Sequence, residues 1–156
     1  MRLSLLFVSA ICLFTAACGS PFKASTPPGF VEVDNHGYDD RYDYRATTAD
    51  GLVIAVRAVD NEDGGTLEFW TRAIENQLRS QGGYALLETV DVKTRAGVAG
   101  KQMRFGLDQE TTPHLYYVSI FVTDDTVFVH EAGGSKELMT KNMAQVTASI
   151  DNLELK

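Results

Sequence analysis

The amino-acid sequence predicts an α+β fold, in which an antiparallel β-sheet of about six or seven strands carries two main helices. Segments that alternate apolar and polar residues, typical of half-buried strands, occupy much of the chain between residues 29 and 131. Two further segments, near residues 66–80 and after Ser135, have apolar residues at helical spacing. Short turn signals rich in glycine and aspartate separate these segments, which favours antiparallel neighbours.

Local signals set the bounds of the elements. Asp50-Gly51 is the strongest hairpin signal, because this pair tolerates the positive φ angles of a tight turn. Gly82-Gly83 ends the first helix, and Ser135 is a fair N-cap for the second. The polar segment Asp108–His114, which contains Pro113, is predicted to be a loop. Before the first helix we predict strands at Gly29–Val33, Tyr42–Thr48 and Leu52–Val59, and the helix itself at Thr66–Ser80. Four strands follow, at Tyr84–Lys93, Val98–Leu107, Leu115–Val122 and Thr126–Glu131. A single second helix, with Leu138 or Met139, Met143, Val146 and Ile150 on its buried face, and an edge strand at Leu153–Leu155 complete the domain.

Residues 1–28 are predicted to lie outside this domain. Arg2, an apolar run of about a dozen residues and a small-residue exit predict a secretory signal peptide over residues 1–17. The apolar run is too short to cross a bilayer, which takes ~20 residues. Residues 18–28 are rich in proline, serine and glycine, and predict a tether that holds the folded domain (residues 29–156) roughly 30 Å from a surface.

Ala16-Ala17-Cys18 resembles the lipobox of bacterial lipoproteins. That resemblance implies that Cys18 is lipidated and becomes the first residue of an envelope protein. Gly19 in place of aspartate implies delivery to the outer membrane, facing the periplasm, in enteric-type bacteria. Ordinary cleavage after Ala17 stays open, because it would cut the same bond. The cysteine count favours lipidation: Cys12 leaves with the signal peptide, so Cys18 would be a lone thiol in an exported chain.

Length and charge exclude several classes of protein. Removal of 17 residues from the 156 leaves 139, the size of one domain. The chain has 14 basic and 21 acidic side chains, and loss of Arg2 changes the net charge from −7 to −8. Such an acidic domain repels phosphate backbones, so we expect no nucleic-acid partner.

The order of elements, together with several short motifs, resembles the PsbP-like and DcrB-like superfamily, which includes a Ran-binding nuclear import factor. The resemblance extends over nearly all of Gly29–Leu155 and contains no catalytic signature. It implies a non-enzymatic binding or accessory role in the cell envelope. The motifs are Pro28-Gly29-Phe30, Gly82-Gly83-Tyr84, Gly97-Val98-Ala99-Gly100, the Val127–Gly133 strand and the closing Ser149-Ile150-Asp151-Asn152-Leu153.

Candidate chemistry is sparse, and we predict neither a metal site nor a cofactor. The histidines His36, His114 and His130 lack the spacing of a helix-borne zinc pair. The acidic stretches 34–40 and 60–64 lack the pattern of a helix-loop-helix calcium site, so solvated loops are favoured.

Tyrosines and arginines interleave with acidic residues between positions 38 and 45, and both types are enriched at binding hot spots. The candidate interface residues are Tyr38, Arg41, Tyr42 and Tyr44.

The leading functional hypothesis is a membrane-anchored envelope lipoprotein that binds another envelope protein without catalysing a reaction. The first alternative is an envelope protein that binds a small molecule or a metal. The second alternative is a small hydrolase, which would need a pocket that holds His114 or His130 beside an acid and a hydroxyl.

Overall fold

The computed structural model describes residues 19–34, 41–109 and 112–156, so the predicted signal peptide, Cys18, His36 and Tyr38 lie outside the described residues. Nine strands and three helices are assigned within those ranges. They are β1 (Phe22–Lys23), β2 (Val31–Glu32), β3 (Tyr44–Thr47), β4 (Val53–Asp60), α1 (Leu67–Gln81), β5 (Ala85–Lys93), β6 (Ala99–Gln109), β7 (Thr112–Val122), β8 (Thr126–Ser135), α2 (Lys136–Lys141), α3 (Met143–Asp151) and β9 (Glu154–Leu155).

Seven strands form one sheet in the order β2-β3-β4-β8-β7-β6-β5, and every neighbouring pair is antiparallel. The predicted α+β class and strand number are therefore confirmed. β8 lies at the centre, as its β-branched and aromatic residues indicate. β1 and β9 form a separate two-stranded ribbon.

Both faces of the sheet are covered, by different elements. Alternation along β7 places Tyr117 and Phe121 in one buried cluster and Val118 and Ile120 in the other. We call these sides the α2/α3 face and the α1 face. The first cluster includes residues of α2, α3 and the ribbon. The second is packed by Leu67, Trp70, Ile74 and Leu78, the apolar face predicted for α1.

The segment predicted as a loop at Asp108–His114 is instead the end of a long hairpin. Asp108 pairs with Pro113, and β6 and β7 continue to Gln109 and Thr112. Pairing between β7 and β8 begins at His114, so Pro113 has no partner on β8 and its missing N–H removes no hydrogen bond to that strand. At Pro113, β7 is therefore no longer paired with β8 but is still paired with β6.

The single second helix of the prediction is two helices, α2 and α3. The side-chain amide of Asn142 donates to the carbonyl oxygen of Leu138 at 2.9 Å, and the Asn142 backbone N–H donates to the same oxygen at 3.0 Å. Asparagine competes in this way for helix carbonyls. The predicted buried positions Met139, Val146 and Ile150 are nevertheless buried on the sheet.

Part of the segment predicted as a tether packs on the domain. Phe22 is 3% exposed and meets the ring of Phe128 edge-on, with the ring centroids 6.3 Å apart. Pairing of Phe22 with Leu155 ties the segment to the end of the chain. Polar composition hid this contact, because the contact depends on one aromatic ring in a segment otherwise rich in proline, serine and glycine. Burial of that ring stabilises by roughly 2–3 kcal/mol.

His130 is a buried polar residue on the α2/α3 face, 1% exposed. Its Nε2 lies 2.8 Å from Oγ of Ser149, and the hydroxyl of Ser149 donates its hydrogen bond to the carbonyl oxygen of Val146. Nε2 is therefore the donor, and Nδ1 has no partner among the described residues. Burial lowers the pKa of His130 to about 4.

We predict that the free energy of unfolding falls as the pH drops from about 6.5 to 4, because the unfolded chain binds a proton that His130 in the folded state refuses. The slope due to this group is at most about 1.4 kcal/mol per pH unit. Urea unfolding at several pH values should show a smaller slope for His130→Gln than for wild type. His114→Gln is the control and should keep the wild-type slope. An unchanged slope in His130→Gln would contradict the assignment.

We also predict that Phe22→Ala lowers the free energy of unfolding by about 3 kcal/mol, because it removes a buried ring from the α2/α3 face. Phe69→Ala is a matched control on α1, where the ring is 58% exposed, and should lower it by less than about 1 kcal/mol. Equal effects of the two substitutions would show that the ribbon does not pack on the sheet.

Candidate functional site

The α1 face is only partly covered by its helix. α1 packs on β5, β6 and β7, and the outward side chains of β3, β4 and β8 lie beyond it. There the surface forms a depression of about 250 Å³. We call this region, together with the adjoining Arg57, the Glu131 patch. The residues that line the depression are Arg41, Tyr42, Arg45, Val53, Ala55, Tyr116, Glu131 and Gly133.

Glu131 is the buried charge at the centre of the patch, with its side chain only 7% exposed. The hydroxyl of Tyr42 donates to Oε2 at 2.9 Å, and Nη2 of Arg57 lies 3.2 Å from Oε1. Tyr116 lines the same depression, close enough for the Glu131 carboxylate to raise the pKa of its hydroxyl. A carboxylate removed from water needs such compensation, so these donors hold it in place.

The two tyrosines stay protonated donors at neutral pH. Burial, followed by the charge and hydrogen bond of Glu131, raises the pKa of Tyr42 to about 12. Burial raises the pKa of Tyr116 as well, with Glu131 again the next cause. The hydrogen bond from Tyr42 to the carboxylate is therefore independent of pH over the physiological range.

Three arginines lie in the patch, in a chain whose net charge is −7. Arg57 binds Glu131 directly, and Arg41 lies 6.0 Å from the centroid of the Tyr42 ring. Arg45 is half-buried on β3, and it also lines an adjoining depression together with the acidic residues Glu32, Asp34 and Asp43. The patch therefore combines arginines and aromatic walls, with carboxylates at its border.

Of the predicted interface residues, Arg41 and Tyr42 lie in the patch, and Tyr38 is outside the described residues. The prediction for Tyr44 needs correction. Tyr44 is 7% exposed in the core of the α2/α3 face, where its hydroxyl donates to Oγ1 of Thr26 at 3.0 Å. A bend at Asp43, whose carboxylate accepts from the N–H of Ala58 at 2.7 Å, separates the two tyrosines onto opposite faces.

Sequence reasoning missed the members of the patch that come from β4, β7 and β8. The signal that was available is Glu131, an acidic residue in a strand otherwise composed mostly of apolar and small residues. Such a residue at the sheet centre requires partners. The missed polar residues are Arg57, Tyr116 and Glu131, whereas Arg45 lies in the predicted stretch but was not among its candidate interface residues.

The histidines do not form the arrangement that a hydrolase would need. His130 has a hydroxyl beside it, on Ser149, but neither residue lines a described depression, and Nδ1 of His130 has no carboxylate partner in the described chain. His114 is bonded through Nδ1 to the carbonyl oxygen of Thr112 at 2.9 Å. Within the described ranges, no cluster of three or more histidine, cysteine, aspartate or glutamate side chains is placed to hold a metal ion.

The acidic loop at 60–64 has a structural role, because it connects two elements through hydrogen bonds of Asn61. Oδ1 of Asn61, which is 4% exposed, accepts from Nε1 of Trp70 and from the N–H of Gly65, both at 2.9 Å. Its amide donates to the carbonyl oxygens of Gly65 and Thr123. The loop therefore fixes the start of α1 to the β7–β8 hairpin.

A larger depression of about 720 Å³ lies between the start of β7 and α2. Its walls are half-buried or exposed side chains, among them Pro113, Lys136 and Lys141, and none is a buried charge. We therefore rank the smaller Glu131 patch above it, because only the patch has a buried ionised group held by fixed donors. None of the helices in the described residues combines the length and apolar character needed to cross a membrane.

Several solved structures of other proteins have a similar fold. LpqN of Mycobacterium tuberculosis, described as involved in cell envelope biogenesis, aligns with a TM-score of 0.64 and 12% identity over 90% of this chain and 87% of that chain. The cyanobacterial PsbP protein (CyanoP) of Synechocystis sp. PCC 6803 aligns with a TM-score of 0.55 and 11% identity over 91% and 99%. A Bacteroides thetaiotaomicron protein aligns with a TM-score of 0.54 and 15% identity over 87% of this chain but 45% of its own.

No family model and no curated protein matches the sequence. At these identities the structural likeness shows the fold alone, and the PsbP-like fold expected from the sequence is confirmed.

We predict that Glu131→Ala lowers the free energy of unfolding by about 3 kcal/mol, because the guanidinium of Arg57 and the hydroxyl of Tyr42 lose their acceptor. Glu88→Ala is the matched control. Glu88 is 51% exposed and pairs with Arg104 at 2.7 Å, so its removal should lower the free energy of unfolding by less than about 1 kcal/mol. Urea unfolding measures both values, and equal losses would contradict the burial of the Glu131 network.

Proposed function

We propose that this chain is a cell-envelope protein, anchored by lipid on Cys18, whose PsbP-like domain binds another envelope protein through the Glu131 patch. The domain acts as an accessory module and catalyses no reaction. The fold shared with LpqN, an envelope biogenesis protein, is consistent with this role. In a Gram-negative cell, Gly19 after Cys18 favours the outer membrane, with the domain in the periplasm.

The observation that supports this proposal is the fixed geometry of the Glu131 patch. The hydroxyl of Tyr42 is already held by Glu131, and the ring of Tyr116 is packed against the hydrophobic cluster of the α1 face. Little conformational entropy is therefore left to lose when a partner binds, and tyrosine and arginine are the residues that contribute most at interfaces. Arg41 and Arg45, at the edge of the depression, suit an acidic side chain of the partner.

The size of the depression favours a protein partner over a small-molecule ligand. Small-molecule sites occupy about 300–1,000 Å³ and enclose most of the ligand. The depression of about 250 Å³ is below that range, with polar and charged walls. It fits one side chain of a partner protein better than a free metabolite. Binding of a small anion is the second candidate, because Arg41 and Arg45 line the same depression.

The lipid anchor is proposed from the sequence Ala16-Ala17-Cys18 and from the cysteine count, because Cys18 is the one thiol that remains when Cys12 leaves with the signal peptide. One acyl chain binds a membrane only marginally, whereas two or more hold stably. Growth with labelled palmitate should give a labelled wild-type protein and an unlabelled Cys18→Ala form. An unlabelled wild type with a free mature terminus in the mass spectrum would contradict the anchor.

A pulldown from detergent-solubilised envelope tests the protein-binding role. Arg45→Glu should reduce recovery of a stable partner at least about tenfold, equivalent to about 1.4 kcal/mol, because it reverses the charge at the patch. Lys136→Glu, on exposed α2, makes the same change in net charge and should leave recovery unchanged. Equal loss with both variants would contradict the patch. A small anion retained in native mass spectra, with no protein partner, would favour the second candidate.

A further inference from the structure

We propose that the β1–β9 ribbon is the membrane-facing surface of the domain, and that the Glu131 patch points away from the lipid. The ribbon consists of Ser20–Lys23 and Glu154–Lys156 on the α2/α3 side. This proposal rests on attachment through residue 18, and adds which face meets the lipid headgroups and which is presented to the partner.

The folded domain begins close to the attachment point. The backbone N–H of Lys156 donates to the carbonyl oxygen of Pro21 at 2.9 Å, and Nζ of Lys156 donates to the carbonyl oxygen of Ser20 at 2.7 Å. Phe22 is buried against Phe128. Ser20 and Pro21 are therefore tied to the C-terminus and cannot act as a free linker.

The remaining chain is too short to hold the domain away from the bilayer. Four Cα–Cα steps separate Cys18 from Phe22, which gives a reach of at most about 15 Å at 3.8 Å per step. A lipid on Cys18 thus keeps the ribbon beside the headgroups. The roughly 30 Å spacing expected for an extended 18–28 tether does not apply, because Phe22 is buried on the domain and Ser20 and Pro21 are bonded to Lys156.

The charge of the ribbon is compatible with this position. Its side chains include two cations, Lys23 and Lys156, and one anion, Glu154, and a terminal carboxylate on Lys156 brings the sum to about zero. Lys23 and Glu154 are 3.8 Å apart and both 69% exposed, so their charges remain open to other partners. An anionic headgroup layer therefore repels this nearly neutral surface less than it repels the acidic chain as a whole.

The opposite side of the sheet is correspondingly far from the lipid. α1 and the Glu131 patch lie on the α1 face, whereas the ribbon packs in the cluster of the α2/α3 face. Two layer spacings of about 10 Å each separate α1 from the ribbon. Attachment at residue 18 therefore presents the Glu131 patch to the aqueous side.

A chemically coupled anchor tests this orientation without depending on the native lipid. The chain from Cys18 onward has one thiol, which can be joined to a maleimide lipid in vesicles of phosphatidylethanolamine and phosphatidylglycerol. Acetylation of Lys23 and Lys156, followed by mass spectrometry, should be about threefold slower or more on vesicles than in solution. Lys101, on the α1 face, is the internal control and should react at its solution rate. Protection of Lys101 without protection of the ribbon lysines would overturn the proposal.

Energy transfer to dansyl-labelled headgroups gives a second readout. Trp70, the single tryptophan, lies on α1 and should transfer weakly. A Lys156→Trp, Trp70→Phe protein should transfer more efficiently, provided that circular dichroism shows the same fold. Equal or stronger transfer from Trp70 would overturn the orientation. Because the lipid is coupled chemically, these results are independent of palmitate labelling, so failure of the native anchor and failure of the orientation are distinguishable.

Discussion

The buried carboxylate of Glu131, bound by Tyr42 and Arg57, is the interaction on which the rest of the site depends. Alternation along β8 places Phe128 and Ala132 against the helices and ribbon of one face, and Glu131 on the other. Beyond the part of that face that α1 covers, the side chains of Tyr42 and Arg57 cover Glu131 and bind its two oxygens. These bonds leave a fixed polar patch on the surface.

The same alternation separates two roles in space. On the α2/α3 face, Phe22 brings the start of the domain onto the sheet and Lys156 fastens it at the C-terminus. On the α1 face, the patch places arginines beside the rings of Tyr42 and Tyr116. We infer that the protein is held at the membrane on its α2/α3 face and binds its partner on its α1 face, and that the sheet separates the two.

Much of the fold could be predicted from the sequence, because strand alternation, the Asp50-Gly51 turn and the helical spacing of α1 are local signals. The β1–β9 ribbon could not, since Phe22 and Leu155 are paired from opposite ends of the chain. The patch was only half visible. Arg41, Tyr42 and Arg45 lie in a tyrosine-rich stretch, but Arg57, Tyr116 and Glu131 meet them only through strand pairing. The bend at Asp43 also reverses the expected face of Tyr42 relative to Tyr44.

Photocross-linking in living cells tests the central claim most directly, with a photoreactive amino acid placed at Arg45 or at Lys23. The account predicts a discrete protein adduct from position 45 and no protein adduct, only lipid, from position 23. A protein adduct from position 23 with none from position 45 would contradict it, because the binding surface would then lie on the ribbon side of the sheet.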